Sequence, residues 1–106
     1  MAVVEVSIVP LGTGSPGVSA FVAQCLEVLR KENGVAYQLT PMGTIIEGEL
    51  DVVLAVVRRM HEEPFNSGVG RVVTSIRIDD RRDKVLTMQG KLAAVKTKLD
   101  GIGESK

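Results

Sequence analysis

Aromatic side chains are nearly missing from this chain: no tryptophan, and only Phe21, Tyr37 and Phe65 in 106 residues. A sheet that stacks bases on aromatic rings has almost nothing to stack with, so RNA recognition of that kind is excluded. Cysteine is rarer still. Cys25 alone rules out an internal disulfide and any cysteine-cluster metal site. Charge of one sign is lacking too, since 13 basic and 13 acidic side chains cancel. No field of the whole molecule draws it to nucleic acid or an anionic membrane. No apolar run approaches a membrane span, and the amino terminus lacks a basic segment followed by a signal-type apolar core. The expectation is a cytoplasmic protein.

What is present is aliphatic. The composition is 44% hydrophobic and the length suits one core. Residues 1–100 read as a single domain and 101–106 as a flexible tail. Ala2 to Val9 alternates as a strand that Pro10 ends. A Gly-rich loop follows, in which Ser15 or Ser19 would cap a helix. Val18, Phe21, Val22, Cys25, Leu26 and Leu29 recur at helical spacing, and Asn33-Gly34 stops that helix. Val35 to Thr40 and Thr44 to Glu49 are two more strands, joined by Pro41-Met42-Gly43. Val53, Val56, Val57 and Met60 mark a second helix that Pro64 interrupts. Arg71 to Asp79 is a fourth strand. Met88, Leu92, Val95 and Leu99 then form a narrow helical seam, suited to another subunit or a sheet edge.

This order predicts an α+β fold: a ferredoxin-like βαββαβ antiparallel sheet with an additional C-terminal helix. The first and third strands form the central pair. Helices should cover the face of Val4, Val6, Ile8, Ile46, Val72, Ile76 and Ile78. The opposite face then carries Glu5, Ser7, Ile45, Glu47, Val73, Ser75 and Arg77, a surface half apolar and half polar. Either a second sheet packs there or its polar groups line a small-molecule pocket at a subunit junction.

Glu47 is the conspicuous member, because a carboxylate in an apolar strand needs a donor, a cation or water. It reads either as the ion-pair partner of Arg77 or as a ligand contact. Ser7 and Ser75 read first as small sheet residues and second as ligand contacts, and Thr44 offers a hydroxyl near the end of a central strand. The loop Gly12-Thr13-Gly14-Ser15 reads as a tight turn or an anion cradle, without the nucleotide-loop fingerprint. His61 reads as part of a solvated helix face and Cys25 as core. No nucleophile set, metal spacing or cofactor motif stands out, so no catalysis and no cofactor is expected.

Three segments carry a family likeness. Ser7-Ile8-Val9-Pro10-Leu11-Gly12-Thr13-Gly14, Tyr37 through Glu49 with its Pro-Met-Gly-Thr…Glu-Gly-Glu signature, and Ile76 through Lys84 resemble the thiamine-binding protein family. The resemblance implies a ferredoxin-like subunit assembled as a dimer or homotetramer through its sheet and C-terminal helix. It also implies binding of thiamine or its hydroxymethylpyrimidine moiety. Thr44 and Glu47, with Ser7 and Thr13 as weaker companions, carry over as ligand-binding residues; Ser75 and Arg77 come from strand sorting alone. The expected function is non-catalytic ligand binding, in sequestration, salvage or sensing. The alternative is an interaction protein that forms a homo-oligomer without a small ligand.

Overall fold

The alternation at the start of the chain becomes β1, Ala2–Leu11, whose inward residues Val4 and Val6 are fully buried. The structure, a computed structural model, describes residues 1–12, 19–83 and 87–104, with side chains to residue 101. After β1 come α1 (Ser19–Arg30), β2 (Val35–Thr40), β3 (Gly43–Gly48), α2 (Leu50–Asn66), β4 (Arg71–Asp80) and α3 (Met88–Glu104). The sheet is antiparallel in the order β2-β3-β1-β4, so β1 and β3 are the central pair as the connectivity required. This is the ferredoxin-like α+β arrangement. The proposed Ser15 cap and the Gly12–Ser15 loop beyond Gly12 lie outside the described residues.

The two helices cover one face. Cys25 and Leu29 of α1 and Val53, Val56, Val57 and Met60 of α2 pack on Ala2, Val4, Val6 and Ile46. The cover is centred on β1 and β3 and thins at the edges. Ile76 and Ile78 share the helix-side register with Val6 and Val4 yet remain 43% and 48% exposed. The edge strand β4 thus keeps an apolar flank open.

Two punctuation marks act differently from expectation. Pro10 does not end β1, which continues to Leu11. Beyond Val6 that strand pairs with β4 alone, and a residue without an amide donor is tolerated in a one-sided ladder. Pro64 does not end α2 either. Its missing N–H deprives the Met60 carbonyl of its usual partner one turn on, and the Cys25 thiol donates to that oxygen at 3.4 Å. Burial, then the charge of Glu63, pushes this thiol up to about 11, so it keeps the proton that it donates. The helix runs to Asn66, and just beyond it Gly68, with φ of 90°, closes the end by bonding its N–H to the Phe65 carbonyl at 3.0 Å. His61 is half-buried rather than solvated. Its Nδ1 lies 2.7 Å from Thr74 Oγ1, tying α2 to β4, and its ring meets Phe65 edge-on.

The third helix departs from the body. The radius of gyration is 16.4 Å, against about 13 Å for a compact chain of roughly 100 residues. Leu92, Val95 and Leu99 along the seam are 56%, 58% and 62% exposed. Among the described residues, the hydrogen bond and ion pair that join α3 to the sheet both come from its first turn.

Candidate functional site

The sheet places chemistry in two locations, because β1 outlasts β3. The β1–β3 ladder ends at Val6 opposite Thr44, while β1 runs on beside β4 alone. That leaves a notch along the β3 side of Ser7 to Val9. The β2–β3 turn arches over it, with Thr40 Oγ1 donating to the Gly43 carbonyl at 2.9 Å and accepting from the Met42 amide at 3.3 Å. Val22, Cys25 and Met60 close the far wall, giving a cavity of about 200 Å³ lined also by Val6, Ser7, Ile8, Leu39 and Thr44.

Ser7 and Thr44 sit on opposite faces of the sheet, yet both reach this cavity because the notch interrupts the layer. Thr44 is 7% exposed. Neither hydroxyl has a hydrogen bond among the described residues. Thr44 is nearly buried as a residue, but among the described residues no side-chain oxygen is both buried and unpaired, so its hydroxyl opens onto the cavity with donor and acceptor capacity free. The remaining lining is aliphatic and thioether apart from the Cys25 thiol and the Thr40 hydroxyl, which donate to the Met60 and Gly43 carbonyls.

The second location is the sheet face that α1 and α2 leave uncovered. Its register places Ala36, Glu47, Val3 and Asp79 in one cross-strand row, and Gln38, Ile45, Glu5 and Arg77 in the next. The first turn of α3 lies over the first row. The Met88 amide donates to Glu47 Oε2 at 2.8 Å, and Lys91 pairs with Asp79. Thr87 caps the same helix, its Oγ1 accepting from the Gly90 amide at 2.9 Å. Below the turn is a trough of about 500 Å³, lined by Val3, Glu5, Ile45, Arg77, Met88 and Leu92 among others.

The six residues singled out from sequence therefore separate. Ser7 and Thr44 meet at the notch. Arg77 faces the trough, but its carboxylate neighbour is Glu5, at 3.7 Å, and not Glu47. Glu47 answers its charge within the chain, as an acceptor at the positive end of α3. Ser75 lies opposite Ser7 across β1 and β4 and lines neither cavity. Thr13 lies outside the described residues. Sequence reading placed Glu5 on this face without giving it a role of its own, and missed Asp79, Thr87 and Lys91. A signal existed for Thr87, a hydroxyl residue directly ahead of the Met88 seam. The ion pairs depend on register and had none.

The Glu47 contact makes a testable statement about α3. Glu47→Ala should remove about 1 kcal/mol of helix-terminal stabilisation, read as faster amide hydrogen exchange at residues 88–92 with the β3 amides unchanged. Glu47→Gln keeps an acceptor oxygen and should retain most of the protection. Equal exchange in all three proteins would mean that the contact does not hold the helix.

Asp80 and Arg82 pair at 2.9 Å, and that hydrogen bond holds the Asp80 carboxyl below its ordinary value. Among the described residues no group of three His, Cys, Asp or Glu is placed to hold a metal ion, and no helix is long and apolar enough to cross a membrane.

A ferredoxin-like sheet with a capped accessory helix defines a small α+β domain that carries an open notch beside its central strand. The family model described as thiamine-binding protein matches residues 4–96, and the chain belongs to that family. It is 50% identical over 98 residues to the UPF0045 protein YqgV of Bacillus subtilis, covering 90% of this chain and 94% of that one. A UPF0045 protein of Methanothermobacter thermautotrophicus is 40% identical over 100 residues, covering 93% and 100%. Among solved structures, the hypothetical protein MJ1052 of Methanocaldococcus jannaschii superposes with a TM-score of 0.83 at 41% identity, over 90% of this chain and 95% of that one.

Proposed function

We propose that this protein is a non-catalytic binding module for thiamine or its hydroxymethylpyrimidine moiety, acting in the cytoplasm in sequestration, salvage or sensing. The observation that carries the reading is the pair of unspent hydroxyls, Ser7 and Thr44, in the aliphatic notch under the Pro41-Met42-Gly43 turn. The family's name supplies the ligand class. An aminopyrimidine is flat and carries ring nitrogens that accept hydrogen bonds beside an amine that donates them. Two hydroxyls are each able to do both, and Ile8, Val22 and Leu39 present flat apolar walls. In this reading the hydroxyls, and not the Glu47 carboxylate, orient the pyrimidine.

Calorimetric titration of the whole chain with thiamine and with hydroxymethylpyrimidine tests it. At least one should bind, and Thr44→Val, which keeps the shape and removes the hydroxyl, should weaken binding about tenfold or more. Heat from neither ligand at high micromolar concentration would reject the ligand class. Unchanged binding by both Thr44→Val and Ser7→Ala would reject the notch as the site.

A homo-oligomer accompanies this reading, favoured by the exposed seam of α3 and the open flank of β4. Those surfaces are also what an assembly protein without a small ligand would show. Native mass spectrometry separates the two, by whether the oligomer takes up one of these ligands.

A further inference from the structure

The arch over the notch carries a side chain that the fold itself does not use. Turns favour small or polar residues, yet the turn from Thr40 to Gly43 presents a methionine, and Met42 is 83% exposed. A single apolar side chain in water needs no explanation. Met42 is not single. Leu39 and Val9, 53% and 43% exposed, line the same cavity, so three apolar side chains ring its mouth. Their supports differ. Leu39 and Val9 stand on strands, whereas Met42 stands on a turn whose main chain the Thr40 hydroxyl ties down, at the Met42 amide and at the Gly43 carbonyl. Pro41 adds a fixed φ just before it. The backbone above the notch is thus set, while an unbranched thioether with three rotatable bonds is left to swing from it.

We propose that Met42 is a ligand-contacting residue that folds over the occupant of the notch, an aminopyrimidine ring in the reading given above, on which this inference rests. A cavity of about 200 Å³ holds one such ring, since about 150 Å³ is enough for a benzene. The polar atoms of a flat ring lie on its edge, where the Ser7 and Thr44 hydroxyls can meet them. Its faces are apolar, and the helix-side wall of Val22 and Met60 backs only one of them. The other face is left toward the mouth. The Met42 thioether covers that face, and sulfur against an aromatic ring is a favourable contact. Closure also takes the apolar rim out of water together with the ring, so the exposure that the empty protein tolerates becomes binding energy in the filled one. A cover of this kind acts on departure more than on arrival.

The experiment is titration of the whole chain, isotope-labelled at its methionine methyl groups, with hydroxymethylpyrimidine and with thiamine. Met60 on the far wall reports that the notch is filled, and Met42 reports the cover. Met1 and Met88 lie outside the notch and serve as controls. The Met42 and Met60 methyl signals should move together to lower frequency, as methyls do above an aromatic ring, while the controls stay still. Met42→Ala should weaken the ligand about tenfold, chiefly through faster dissociation. It should leave the urea midpoint unchanged, because an exposed turn side chain carries little of the fold. Met42→Leu restores an apolar cover and should recover most of the affinity. A Met60 signal that moves while Met42 keeps its free position would overturn the cover and leave the notch as the site. So would a Met42→Ala protein that binds as the unaltered one does. Neither methyl moving with either ligand would overturn the cover and the notch together.

Discussion

Replacing Ile46 by alanine should lower the unfolding free energy by about 3–4 kcal/mol, a large part of the roughly 5–15 kcal/mol typical of a small domain. Ile46 is fully buried on central strand β3, flanked by Val4 on β1 and Tyr37 on β2 and covered by the helices. Truncation removes three carbons and leaves a void that neighbours anchored in the sheet and in α2 cannot fill. The adjacent Ile45 provides the internal control. It points to the uncovered face and is only half-buried, so Ile45→Ala should cost about 1 kcal/mol or less. Urea denaturation of the two variants measures the difference. Similar losses would mean that the two faces of β3 are not distinguished as the register requires.

Gly43→Ala is the second large effect, and it acts on the backbone. A methyl group there would lie 2.8 Å from the Val6 carbonyl oxygen and 3.5 Å from its carbon. Val6 belongs to the other central strand, fully buried and paired on the β4 side, so its carbonyl has little freedom to retreat. Either β3 shifts at its first residue or the turn re-forms farther from β1. The strain should cost about 2 kcal/mol. Because the turn roofs the notch, the same change should weaken pyrimidine binding more than Thr44→Val does, by about thirtyfold if a strain of that size falls on the bound state. Wild-type affinity with unchanged stability would show that the close approach is relieved without moving the turn.

The element order and the central pair were legible because they follow from periodicity and connectivity. Ile45 and Ile46 show how far that goes: neighbours in a strand must face opposite ways, and the register confirms it. The same rule separates Thr44 from Glu47, three positions apart and therefore on different faces, although one signature contains both. The sequence alone did not reveal that β3 would stop short of β1, and that offset is what lets Ser7 join Thr44. Pro64 looked like a helix breaker because its remedy, the Cys25 thiol, comes from another helix, 35 positions before the Met60 carbonyl that it serves. Glu47 looked unpartnered because its donor is a backbone amide 41 positions later, and a peptide N–H leaves no mark in a residue pattern. The exposed apolar seam of α3 was read correctly as spacing. Its anchorage by one turn depended on two contacts, Met88 to Glu47 and Lys91 to Asp79, that only coordinates display.

The unequal lengths of the two central strands act as a gauge. The width of the opening is set by where one strand yields and the other continues, so side-chain exchanges on its walls can trim or roughen the chamber but cannot erase it. Adding one residue pair to the start of the shorter strand would bring new peptide partners to Ser7 and Ile8 and seal the gap with main chain. Relatives with the same wall residues but a different strand offset would then accept guests of a different size, a distinction visible in the spacing of the hairpin and invisible in the identity of its lining.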